Sequence, residues 1–216
     1  MNFVVRRSPR GRRPGARLAI VAAALAGSLL LTACAPLVVG GAAVGAVMIA
    51  TDRRTVGIQL EDQSIEIRAR NRARDLLADR GNVSVTSHNR IVLLTGEVPT
   101  EADRARVEET VRGVENVRAV VNELAVMAPT SLTERARDGV LSTRVRAAFI
   151  DARDLDSRAV TVVTERAVVH LMGRVTEAEA QRATEIARAI SGVQRVVRVF
   201  ELITPAELAA IRGAGS

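Results

Sequence analysis

Few residues in this 216-residue chain have the type and spacing to do chemistry. Cys34 is the single cysteine, which excludes an intramolecular disulfide framework and leaves one thiol whose context decides its use. The two histidines, His88 in Ser87-His88-Asn89 and His170 between Val169 and Leu171, are expected in a hairpin turn and on a strand. Neither stands in a Ser-His-Asp order, and no second cysteine or His/carboxylate cluster completes a metal set. No glycine loop has the context of a phosphate cradle. The sequence therefore predicts no catalytic residue, no cofactor, no metal and no enzyme.

The surroundings of Cys34 give its thiol a different role. Residues 1–17 are Arg-rich, and Leu18 to Leu30 form an Ala/Leu run too short to span a bilayer. Leu31-Thr32-Ala33-Cys34 follows at once and resembles the bacterial lipobox. The resemblance implies an export signal over 1–33, diacylation of the Cys34 thiol, cleavage before it and acylation of the new amine. Several acyl chains give stable anchoring where one is marginal. Arg6-Arg7 is continued poorly by Ser8-Pro9-Arg10 as a twin-arginine signal, so the general export route is expected. Ala35, where an Asp would imply inner-membrane retention, implies the outer membrane with the protein on its periplasmic face. Ala35 to Ala50 is wholly apolar or glycine apart from Pro36, and at 16 residues it is a poor spanning helix. It reads either as a flexible tether or as a segment resting among headgroups. The tether is assigned to 34–63.

The pI near 11.3 suggests nucleic acid until the charges are located. Six of the 31 basic residues lie in the first 33 positions, which carry no acid, leaving 25 arginines against 24 acids. Tyr and Trp are absent, so no aromatic platform exists for stacking bases, and no nucleic-acid partner is expected.

The elements that position any remaining chemistry come from an internal repeat. Ile91-Val92-Leu93-Leu94-Thr95-Gly96-Glu97-Val98 returns as Val168-Val169-His170-Leu171-Met172-Gly173-Arg174-Val175. Each copy then opens a helix with Thr-Glu-Ala and reaches a Gly-Val, at Gly113-Val114 or Gly192-Val193, before a branched-chain strand. A repeat of this size sets the architecture, and each unit of about 65 residues buries too little alone, so packing between copies is expected. In the first copy, helical spacing runs through Ile65, Ala69, Ala73 and Leu76/Leu77 with Ser64 as a cap. Strands are predicted at Val83–Thr86, Ile91–Thr95 and Val117–Leu124, with a helix between the last two that ends at Gly113. In the second copy a helix is predicted from Asp138 to Ile150, strands at 160–163, 167–172 and 196–203, and a helix capped by Thr176 with Glu179. The second helix reads about one turn shorter in the first copy. Gly96, Gly113, Gly173 and Gly192 are structural glycines, the strand-end pair read as places of positive φ or close approach. The fold class is α+β, two tandem α-β-β-α-β units, each a three-stranded sheet packed by two helices.

This order, with Leu94-Thr95-Gly96-Glu97-Val98, Leu171-Met172-Gly173-Arg174-Val175 and the two Gly-Val pairs, resembles the BON domain. The units are set at 64–127 and 138–204, with a linker at 128–137 and a tail at 205–216. Together with the lipobox and Thr51-Asp52-Arg53-Arg54-Thr55-Val56-Gly57, the chain resembles dual-BON outer-membrane lipoproteins. The resemblance implies an anionic phospholipid surface as partner, met by the first helix of the second unit, and a role in envelope integrity. On that helix Leu141, Val145 and Phe149 make the core stripe. Val140, Arg144 and Ala147, with Arg146 beside them, are the candidate phospholipid-binding residues. Relatives place an aromatic where Val140 stands, so insertion here is expected to be shallower. The alternative is an adaptor that docks on outer-membrane assembly proteins, since small sheets offer free edges.

Overall fold

Thr55 starts the first helix, its hydroxyl accepting the Ile58 amide at 3.3 Å. The computed structural model describes residues 52–214; Cys34, the leader and the apolar run to Ala50 lie outside them. Helix α1, Val56–Leu77, begins eight residues before the Ser64 cap that the sequence suggests. Its first two turns bury only Asp62, so they carry no apolar period to read, and residues 56–63 pass from tether to helix.

Strands β1 (Asn82–His88) and β2 (Ile91–Val98) form an antiparallel hairpin. Its turn is Asn89-Arg90, both at positive φ, so Ser87 and His88 belong to the strand and not to the turn as expected. Asp62 sets that position by accepting the Asn89 and Arg90 amides, each at 2.8 Å. Helix α2 (Glu101–Arg112) returns the chain to β3 (Ala119–Asn122) and β4 (Ala125–Val126), both parallel to β2. The expected third strand is thus broken at Glu123-Leu124. Leu124 turns into the core there, and its amide donates to Asn122 Oδ1 at 3.1 Å.

The second copy repeats these devices. Helix α3 runs Leu132–Asp151 behind a capping box of Ser131 and Glu134, six residues before the expected start, so 132–137 are helix and not linker. The hairpin of β5 (Thr161–Glu165) and β6 (Val168–Val175) turns at Arg166-Ala167, whose amides Asp138 accepts at 2.7 and 2.9 Å. Helix α4 (Glu177–Ala189) has 13 residues against 12 in α2, so the second helices differ by one residue and not by a turn. The extra length lies in the turn around Gly192. Strand β7 (Arg195–Leu202) pairs with β6 over eight parallel positions, and α5 (Pro205–Ala214) follows.

Each sheet keeps one face for its own helices. Val92, Leu94 and Val98 join α1 and α2 in one core, and Val169, Leu171 and Val175 join α3 and α4 in the other. The alternate residues form a third cluster of Leu93, Met172 and Val199 with Ile91, Val121, Val163 and Val197. The two sheets therefore stack back to back as a four-layer α-β-β-α arrangement within one compact unit.

Polar side chains join the copies around that cluster. Arg166 donates to Gly96 O and to Glu97 Oε1, both at 3.0 Å, and Glu97 is 0% exposed. Arg195 pairs with Glu123 at 2.9 Å, and Asn89 donates to Glu201 at 2.6 Å. Arg53 and Arg54 divide between the copies. Arg53 donates to Arg174 O at 2.8 Å and grips Glu179 at 2.9 and 2.6 Å, while Arg54 pairs with Asp52 and Asp62, both at 2.8 Å. The bond from Arg53 holds the Glu179 carboxyl down at about 2 against the cost of burial.

Candidate functional site

Helix α3 turns Leu141, Val145 and Phe149 inward and leaves its opposite face exposed. That outer face carries Leu132, Ala136, Val140, Ala147 and Ile150, spaced so that each falls on one side of a 3.6-residue helix. Leu132 is 78% exposed, Val140 54% and Ile150 71%. The stripe runs the whole helix, roughly 30 Å at 1.5 Å per residue, and is apolar except at its middle, where the Thr143 hydroxyl donates back to Gly139 O at 3.0 Å. It faces solvent where the opposite stripe faces the core.

Arginines flank it. Arg137 and Arg144 stand two turns apart on one shoulder, and among the described residues neither forms an ion pair. With Thr133, Val140, Leu141 and Gly192 they line a shallow groove of about 480 Å³ between α3 and the turn after α4. Its walls are apolar and its rim is cationic, the chemistry that suits an acyl chain below an anionic headgroup.

The candidates from the sequence do not all converge here. Val140 and Arg144 line the groove, and Ala147 is exposed on the stripe beside it. Arg146 lies on the other shoulder, where its Nη2 donates to Val162 O at 2.7 Å and closes the edge of β5. Leu132, Ala136 and Arg137 precede the expected helix start at Asp138, while Ile150 lies at its expected end, outside the Val140/Arg144/Ala147 set. The signal was present in Ser131-Leu132-Thr133-Glu134, the same capping box as Thr176 and Glu179.

The four glycines differ. A Cβ on Gly96 would stand 2.0 Å from Asn82 O, and one on Gly173 2.1 Å from Ala159 O; both have positive φ, 109° and 154°. Gly192 has φ 101° and faces Leu141 beside the groove. Gly113 has φ −80°, and a Cβ there would meet only ordinary van der Waals contacts from 3.6 Å outward, so its conformation does not require glycine. Cys34 lies outside the described residues.

The histidines sit between the copies. His88 is buried, with Nδ1 3.3 Å from Thr161 Oγ1; burial, and then the nearby charge of Arg54, push its pKa down to about 4. Burial likewise lowers His170, against the opposing pull of Glu123. Among the described residues no group of three or more His, Cys, Asp or Glu is placed to hold a metal ion. None of their helices is long and apolar enough to cross a membrane.

The BON domain family model matches residues 64–128 and 137–204. The chain is 36% identical over 193 residues to the outer membrane lipoprotein DolP of Haemophilus influenzae, covering 88% of this chain and 97% of that one. It is 28% identical over 154 residues to a 21 kDa hemolysin of Actinobacillus pleuropneumoniae, covering 70% and 79%. It is 31% identical over 118 residues to the osmotically-inducible protein Y of Escherichia coli, covering 53% and 59%. The chain therefore belongs to the outer-membrane lipoproteins of the DolP type, built from two tandem BON domains.

Proposed function

We propose that this lipoprotein is a non-enzymatic membrane-surface protein that binds anionic phospholipid through α3 and thereby supports envelope integrity. Acylation of Cys34 anchors it, and α3 gives it a second hold on a lipid surface. The observation that carries the reading is the unpartnered apolar stripe of α3 with Arg137 and Arg144 along it. Each arginine near an anionic surface contributes about 1 kcal/mol.

Co-sedimentation of the soluble 51–216 fragment with vesicles tests this. Pelleting is expected with anionic vesicles and not with neutral ones. Arg137→Glu with Arg144→Glu removes two attractions worth about 2 kcal/mol in all, weakening binding roughly 30-fold or more. Equal pelleting with both vesicle types, or no effect of the reversals, would sink the reading.

A further inference from the structure

The hairpins of the two copies differ at their outer edges. In β5 the outward carbonyl of Val162 is taken by Arg146. By the offset of the repeat, the matching positions in the first copy are Val85 and Arg70. Arg70 does not reach the strand and instead lies 4.0 Å from Glu66. Glu66 accepts the outward amide of Ser87 at 2.9 Å, which fixes the phase of the edge. Every second residue of a strand faces the same way, so the backbone groups of Val83 and Val85 also point outward. Among the described residues they have no partner, because β1 lies at the end of its sheet with β2 on its inner side.

This edge opens into a groove of about 690 Å³, bounded by Arg70, Arg74, Val83, Val85 and, from the second copy, Glu165. Glu165 is only 8% exposed, and its Oε1 has no hydrogen-bond partner. Burial, and then the neighbouring charge of Glu97, raise its pKa, with Asp138 adding to the effect while Arg166 and Arg135 oppose it. A buried carboxylate oxygen without a donor is costly, and a guanidinium or ammonium entering the groove would satisfy it.

We propose that the outer edge of β1 is a docking site for an extended peptide strand of a partner protein, which carries a cationic side chain to Glu165. The strand adds to the sheet through the free groups of Val83 and Val85, and its side chains lie between Glu165 and the Arg70/Arg74 wall. Backbone donors and acceptors alternating along an edge fit a peptide. The anionic end of the groove disfavours a phosphate headgroup, so this site is separate from the stripe on α3 and does not rest on it.

The test uses the full lipidated chain in detergent micelles and a capped peptide of alternating Val and Thr with a central Arg. Amide hydrogen exchange is followed with and without the peptide. The amides of Val83 and Val85 are expected to slow at least tenfold, while those of α3 do not change. A central Glu, or N-methylation of the peptide backbone, abolishes the protection. Glu165→Gln, a nearly isosteric change, weakens the Arg peptide about tenfold and removes its advantage over the Glu peptide. The proposal is overturned if no peptide protects the edge, or if the N-methylated peptide works equally well. It also falls if protection grows with protein concentration alone, which indicates a second copy. Protection produced by phosphatidylglycerol vesicles without peptide has the same force.

Discussion

Replacing Arg166 by Met tests how the two domains are held together. The guanidinium approaches a carboxylate, Glu97, that is fully buried between the sheets. Without it, Glu97 keeps one long side-chain bond, from Asn82 at 3.4 Å, and Gly96 O loses a donor. Breaking a buried pair from one side costs about 3–5 kcal/mol, because the remaining charge is stranded. Met keeps much of the side-chain volume, and the Arg166 amide still donates to Asp138, so the turn survives. A unit of this size is held by about 5–15 kcal/mol in all, so the loss is large. The chain has no Trp or Tyr, so urea unfolding is followed by far-UV circular dichroism. Arg166→Met is expected to lower stability by about 3–5 kcal/mol, and adding Glu97→Gln should restore more than half of it. A cost below about 1 kcal/mol, or additive single effects, would refute the claim that this pair joins the sheets.

Three further outcomes are expected. Gly173→Ala places a Cβ 2.1 Å from Ala159 O at positive φ and should cost about 3 kcal/mol or more, whereas Gly113→Ala should stay within about 1 kcal/mol; similar denaturation midpoints would contradict this. His88 titrates at about 4 when folded, below its ordinary 6.5, so the unfolded chain binds the extra proton and stability falls as pH drops from 6.5 to 4. The contribution is at most about 3 kcal/mol, and His88→Asn should flatten that part of the stability curve; parallel curves would exclude it. Val140→Trp sets an aromatic on the α3 stripe and should tighten binding to anionic vesicles severalfold in co-sedimentation, with an unchanged affinity counting against insertion there.

The repeat made the α-β-β-α-β order legible, because Gly96 and Gly173 stand where a side chain would strike neighbouring backbone, at Asn82 O and Ala159 O. The helix starts were not legible from periodicity. In α1 and α3 the first buried residue is an aspartate, Asp62 or Asp138, serving a hairpin turn far along the chain. Those turns, Asn89-Arg90 and Arg166-Ala167, contain no glycine, so turn chemistry placed the first only nearby, at Ser87-His88-Asn89, and gave no signal for the second. The strand run Val92-Leu93-Leu94 did carry the stacking of the sheets, since unbroken apolar sequence means burial on both faces. At the candidate site, Val140 and Arg144 were visible from the helical register. The Leu132 end was hidden with the helix start, and the diversion of Arg146 to Val162 depends on a strand sixteen residues away.

The back-to-back sheets make the unit they form two-sided. Each sheet spends both faces on packing, so among the described residues the helix layers form the outer surfaces, and these look in opposite directions. With sheets about 10 Å apart and helices outside them, the two outer surfaces are separated by several tens of ångströms. A body lying with α3 against lipid therefore presents α1, with its exposed Val56, Leu60 and Ile67, to the aqueous space. The duplicated domain thus meets itself through one shared apolar seam and turns two unlike helix faces outward.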